Sequence, residues 1–189
     1  MVSARLTLVL GGARSGKSAY AERLASASAF PVTYIATATS ADDEFAARIA
    51  HHRARRPAHW SVVEAGADLG KALGDAHGDG RCVLIDCLTL WLATLVCPMQ
   101  SDDGMGQAAV PRADAFVAQI DAFEAALKGA RGKVIVVSNE IGLGVVPLGA
   151  LTRHYVDELG RLNQRVAAVA TEVTLMVAGL PMLVKGPNR

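Results

Sequence analysis

An α/β fold, with a mostly parallel sheet covered by helices on both faces, is predicted by three observations. Short apolar runs rich in β-branched residues recur along the chain: RLTLVL (5–10), VTYIAT (32–37), CVLIDC (82–87), KVIVVS (133–138) and EVTLMVAGL (172–180). None alternates cleanly between apolar and polar, as expected of strands buried on both faces. Segments compatible with helix lie between them, and alternating strands and helices imply parallel pairing through helical crossovers. Finally, the chain is 51% hydrophobic but only 5% aromatic. A composition dominated by Ala, Val and Leu suits Val/Leu strands under Ala-rich helices.

The elements follow in order. Strand 5–10 runs into a glycine loop, after which Ser18–Ala27 reads as helix. Asp42–Arg55 reads as a second helix, because Asp42-Asp43-Glu44 favours the positive end of a helix dipole. Leu88–Val96 is a short helix; Ala113–Ala130 and Leu151–Ala170 are long and amphipathic. MLVK, following Gly179-Leu180-Pro181, fits an antiparallel strand at the sheet edge. SDDGMGQ (101–107) reads as a loop between two helices rather than a domain boundary. With 189 residues and no internal repeat, the expectation is one domain spanning 1–189.

Charge and cysteine usage exclude several classes. The net charge is +1, without the basic surplus usual in nucleic-acid binders. No apolar stretch approaches the ~20 residues of a membrane span, and no apolar leader precedes the glycine loop. A cytoplasmic protein with neither nucleic-acid partner nor membrane span is expected. Cys82, Cys87 and Cys97 lack metal-ligand spacing and read as packing or free thiols.

Gly11-Gly12-Ala13-Arg14-Ser15-Gly16-Lys17-Ser18 satisfies G-x-x-x-x-G-K-[ST]. Glycines let the backbone curl so that successive N–H groups face one concavity, and the following helix points its positive end there. Lys17 would reach the β/γ phosphates, and the Ser18 hydroxyl would ligate Mg²⁺. Asp86 ends the apolar strand VLID, where an acid near the magnesium belongs; a helix N-cap for 88–96 is the alternative, and the two are compatible. A P-loop NTPase fold binding a nucleoside triphosphate with Mg²⁺ is therefore expected, but the fold alone does not name the reaction.

RIAHHRARRP (48–57) sets two histidines among four arginines. On a helix from Asp42, Phe45 and Ile49 lie within about 40° of each other, and His52 falls within roughly 60° of Ile49 on that inward side. His51 points about 100° away. Arg48 and Arg56 border the inner face; Arg53 and Arg55 spread outward. Nearby cations disfavour protonation of an inward imidazole, leaving a neutral nitrogen able to attack phosphorus. The arginines would hold phosphates and screen developing charge. A solvated charged face is the alternative reading of the same residues.

Taken in order, GGARSGKS, YIATATSADDEFAARIAHHRARRPAHWSVVE, LIDCLTLWLATL, VSNEIGLGVVP and GRLNQRVAAVATEV cover nearly the whole chain. This set resembles the bifunctional adenosylcobinamide kinase/adenosylcobinamide-phosphate guanylyltransferase family of cobalamin biosynthesis. The resemblance implies a RecA-like sheet, ATP and GTP as substrates, and two reactions. A γ-phosphate passes to the aminopropanol hydroxyl of adenosylcobinamide. GTP then guanylylates a histidine, and GMP moves on to adenosylcobinamide phosphate. The family's RI-x-x-H-R pattern puts that histidine at His52. The resemblance also implies a homotrimer.

Further assignments rest on position. Glu64 either accepts from the N1–H and N2–H₂ donors of guanine or is a surface acid near a strand end. Thr37 and Thr39 line the nucleotide site or cap the histidine helix, with capping favoured for Thr39. Asn139 and Glu140 lie at the carboxyl edge of the fourth strand, where ligands bind in such sheets, and read as catalytic or substrate-binding residues, with simple turn chemistry as the alternative. Asn163 and Arg165 read as structural or as a subunit contact, Trp60 as packing, and Trp91 as core or interface. Two rivals stand beside this account: a small-molecule P-loop kinase without guanylyl transfer, and a RecA-like ATPase or switch module.

Overall fold

The structure, a computed structural model, describes residues 4–37, 56–96, 113–145 and 147–186. Its strands are β1 (Arg5–Gly11), β2 (Val32–Ala36), β3 (Ser61–Glu64), β4 (Cys82–Asp86), β5 (Lys133–Val137), β6 (Glu172–Val177) and β7 (Leu180–Lys185). The helices are α1 (Lys17–Ser26), α2 (Leu69–Ala76), α3 (Leu88–Val96), α4 (Ala113–Gly129) and α5 (Ala150–Val169). The sheet runs β3-β2-β4-β5-β1-β6-β7, parallel throughout except for the antiparallel β6–β7 pair. The expected α/β, mostly parallel sheet is therefore the observed one, antiparallel edge included.

Continuous apolar runs behave as double-sided strands should. In β4, Val83 and Ile85 enter one core with Trp91, Phe123 and Leu159, while Cys82 and Leu84 enter the other with Ala21, Ala25 and Trp60. All four β4 residues are fully buried. Burial of each large aliphatic side chain is worth about 1.5–3 kcal/mol, so a polar residue in this run would be costly on either face. The first core lies under α2, α3, α4 and α5, and α1 contributes Ala21 and Ala25 to the second. Trp91 is a core residue: its Nε1 donates to the Ala67 carbonyl at 2.8 Å, and its ring meets Phe123 at 5.2 Å. Trp60 packs in the second core, as expected.

Three features depart from the sequence reading. Helix α2 was not anticipated, because LGKALGDA carries two glycines that weaken a helix. Asp68 caps it by accepting from the Lys71 N–H at 2.9 Å, and Leu69 and Leu73 are fully buried. Gly70 lets α2 approach α4 closely, since a Cβ there would lie 3.0 Å from the Ala122 backbone. Strand β3 is short and wholly exposed, so it carries none of the burial signal by which the other strands were read. The run expected at 172–180 breaks after Val177, because Ala178 and Gly179 both adopt positive φ (51° and 83°), as a tight two-residue hairpin requires. Pro181 is then tolerated because β7 is an edge strand. The expected helix 42–55, the loop 101–107 and Cys97 lie outside the described residues.

Register positions the carboxyl ends of the strands. Glu64, Ala36, Asp86 and Val137 lie side by side across β3, β2, β4 and β5, and Val137 is level with Val9 of β1. Aligned residues of parallel strands project to the same face, here the α1 side, to which Val9 and Val137 contribute.

Candidate functional site

Residues 11–16 curl between β1 and α1. Gly11 has φ 152° and no room for a side chain, since a Cβ would stand 2.6 Å from both the Met176 carbonyl and Ser15 Oγ. Arg14, exposed at the loop surface, holds a positive φ of 55°, and Gly16, with φ 91°, caps α1. Neighbouring elements fix the loop. The Glu140 N–H donates to the Gly11 carbonyl at 3.0 Å, and the Gly179 N–H of the β6–β7 turn donates to the Ser15 carbonyl at 3.0 Å. Gly12 and Ala13 lie on the exposed rim, and Ser18 sits in the first turn of α1. The curl at the positive end of a helix is the geometry that binds phosphate.

Lys17 is 8% exposed, and its Nζ donates to the Gly12 carbonyl at 2.6 Å. Burial lowers its pKa below the ordinary lysine value, while neighbouring Cys87 and Asp86 oppose that shift. A triphosphate seated in this loop would bring negative charge to this ammonium and raise its pKa. Binding therefore takes up a proton wherever the free protein has lost it, and affinity falls as pH rises through the alkaline range. Calorimetric titration with a non-hydrolysable triphosphate should show a slope approaching about tenfold per pH unit, absent in Lys17→Ala. A flat wild-type profile up to the ordinary lysine range would contradict the charge assignment.

Asp86 lies two strands from β1, at the carboxyl end of β4. The Tyr34 hydroxyl donates to its Oδ2 at 3.2 Å, and the Arg56 guanidinium lies 4.0 Å from the centroid of the same Tyr34 ring. Burial first, and then the Asp86 charge, raise the Tyr34 pKa, so the phenol stays a donor. Thr37 is 3% exposed; its hydroxyl donates to the Cys87 carbonyl at 2.7 Å and accepts from the Cys87 N–H at 2.8 Å. Thr37 thus clamps the turn that carries Asp86. Burial, then the Asp86 charge, push the Cys87 thiol up to about 11. Cys82 and Cys87 are free and buried, in line with the packing role read from the sequence.

The oxygen donors Asp86 and Ser18 suit Mg²⁺, which typically takes one or two protein oxygens and completes its shell with water and phosphate.

Glu64 is exposed at the end of edge strand β3, four strand steps from Val9. At 4.7–4.9 Å per step this is ~19 Å across the sheet. Asn139 and Glu140 follow β5. The Asn139 N–H donates to Thr89 Oγ1 at 2.9 Å, its carbonyl accepts from Asn163 Nδ2 at 3.0 Å, and Glu140 Oε1 accepts from the Gly142 N–H at 2.8 Å. Asn163 is buried and supports this loop from within the chain. Arg165 binds Asp121 and Glu124 of α4. His52, His51, Arg48, Arg53, Arg55 and Thr39 lie outside the described residues. Sequence reading missed Tyr34 and Thr89. Tyr34 did leave a signal, because a tyrosine in a buried strand needs a partner for its hydroxyl.

The model of the cobinamide kinase / cobinamide phosphate guanyltransferase family matches residues 7–184. The chain is 51% identical over 179 residues to the Pseudomonas aeruginosa bifunctional adenosylcobalamin biosynthesis protein CobP, covering 95% of this chain and 96% of that one. It is 41% identical over 183 residues to the Escherichia coli K12 bifunctional adenosylcobalamin biosynthesis protein CobU, covering 95% and 99%. A solved structure from Pyrococcus horikoshii OT3 matches all of this chain and 89% of its own, with a TM-score of 0.56 at 7% identity, a likeness of fold alone.

Proposed function

The chain belongs to the cobinamide kinase / cobinamide phosphate guanyltransferase family and is an enzyme of phosphoryl and guanylyl transfer; from that premise we propose that both transfers draw on one triphosphate pocket, with His52 as the nucleophile of the second. In the first reaction the aminopropanol hydroxyl of adenosylcobinamide attacks the γ-phosphorus of ATP or GTP, and the nucleoside diphosphate leaves. In the second, a neutral His52 ring nitrogen attacks the α-phosphorus of GTP and pyrophosphate leaves. A phosphate oxygen of adenosylcobinamide phosphate then displaces the histidine, giving adenosylcobinamide-GDP.

The amides of 11–18 and Lys17 would hold the phosphates, Arg53 and Arg55 would add charge, and Glu64 would read guanine. Ser18 and Asp86 would hold Mg²⁺, which neutralises phosphate charge when bound. Thr37 serves the nucleotide site through the Asp86–Cys87 turn, and Asn139 and Glu140 border the pocket beside Gly11. The observation that carries the reading is the placement of the two described residues that flank 38–55. Thr37 and Arg56, the described residues on either side of 38–55, both meet the Asp86 neighbourhood, one at Cys87 and the other over Tyr34.

The chain is read as one catalytic domain over 1–189, cytoplasmic, and assembled as a homotrimer. No helix among the described residues is long and apolar enough to cross a membrane. Support for assembly comes from apolar side chains left in water: Leu143, Val145 and Leu148 are 83–97% exposed, and Leu180 and Met182 lie open on edge strand β7.

Incubation with α-labelled GTP tests the transferase. The expected result is a protein-bound label that is acid-labile, base-stable and discharged by adenosylcobinamide phosphate. Absence of a covalent label while adenosylcobinamide-GDP still forms would contradict a histidyl intermediate.

A further inference from the structure

Three side chains from separate parts of the chain form a stack that the two transfers do not themselves require. Tyr34 stands on β2, Asp86 ends the adjacent β4, and Arg56 lies in the connection between β2 and β3. The phenol donates to Asp86 Oδ2 at 3.2 Å, and the Arg56 guanidinium covers the ring at 4.0 Å from its centroid. Tyr34 is 4% exposed, so its ring cannot swing into solvent.

We propose that Tyr34 is a positioning residue for the metal-binding acid: its hydroxyl orients the Asp86 carboxylate, and Arg56 acts on that acid by fixing the Tyr34 ring. This rests on the reading of Asp86 as a Mg²⁺ ligand. The chemistry is that of an outer-shell partner. A carboxylate that offers one oxygen to a cation is held in the right rotamer by a donor on its other lone pairs, and loss of such a donor weakens metal binding. A phenol suits the task better than a lysine or arginine, because it donates without cancelling the carboxylate's charge. The guanidinium over the ring adds a cation–π contact and restrains its tilt.

The test is a double-mutant cycle read by Mn²⁺ binding to the full-length protein in the presence of GTP, followed by the electron paramagnetic resonance of free Mn²⁺. Tyr34→Phe keeps the ring and removes the hydroxyl; it should weaken Mn²⁺ binding about tenfold and leave metal-free GTP affinity unchanged. Arg56→Ala, at a half-buried position, should weaken it about threefold. Added to Tyr34→Phe, it should cost nothing further, since its route to the acid is already cut. Unchanged Mn²⁺ affinity in Tyr34→Phe would overturn the proposal, and so would full additivity of the two substitutions. If Tyr34→Phe does not fold, unchanged affinity in Arg56→Ala overturns it alone. Asp86→Asn separates the two levels. If it leaves Mn²⁺ affinity intact, the metal reading of Asp86 fails; if it weakens binding while Tyr34→Phe does not, only the positioning role fails.

Discussion

His52→Ala is expected to lower guanylyl transfer by a factor on the order of 10³ or more while leaving phosphoryl transfer to adenosylcobinamide within about an order of magnitude of wild type. The asymmetry follows from the two routes. Phosphoryl transfer moves the γ-phosphate directly to a substrate hydroxyl and needs only positioning and charge stabilisation. Guanylyl transfer through an enzyme adduct needs a side-chain nucleophile, and nothing replaces it when the imidazole is gone. Separate assays of adenosylcobinamide phosphate formation and of GMP transfer to supplied adenosylcobinamide phosphate check this. Equal loss of both would mean that the substitution damages the shared pocket. Retained guanylyl transfer would remove His52 from the mechanism, and His51 is the neighbouring imidazole to test next.

Lys17→Ala is expected to do the opposite and depress both reactions together, each by a factor on the order of 10²–10³. Lys17 is the buried cation of the loop, held at the Gly12 carbonyl with Asp86 nearby. If both transfers draw on the same triphosphate pocket, as proposed, one lost donor costs each of them. The loss should fall on kcat as well as KM, because the ammonium stabilises the transition state more than the ground state. Two full-rate activities in this variant would show that the cradle does not serve both reactions.

The core of the sheet was legible because double-sided burial writes itself as uninterrupted apolar runs, and β1, β2, β4 and β5 begin and end within a residue or two of those runs. The glycine loop was legible because its backbone demands particular residue types: Gly11 has no room for a Cβ, and Gly16 sits at φ 91°. Strand β3 was legible only as a strand end near Glu64, since an exposed four-residue edge carries no burial periodicity. Helix α2 was hidden by its glycines, although Asp68 at its N-cap and Gly70 against Ala122 show why it forms there. The place of Asp86 at a strand end was readable, but the contacts that hold it there were not. Asp86 follows from strand position, whereas the Tyr34 hydroxyl, the Thr37 clamp on Cys87 and the Thr89 contact to Asn139 depend on which strands become neighbours. The order β2-β4-β5-β1 sets those neighbours, and spacing along the chain does not encode it.

The central claim is spatial: one pocket, floored by the backbone of 11–18, presents the triphosphate to an imidazole carried on another segment. A crystal structure of the protein with a non-hydrolysable GTP analogue and Mg²⁺ tests it most directly. The account predicts a ring nitrogen of His52 about 3–3.5 Å from the α-phosphorus and in line with the departing pyrophosphate, while Lys17 contacts the β and γ phosphates. A triphosphate seated in the same loop with the His52 ring turned to solvent, and another nucleophile at the α-phosphorus, would contradict it.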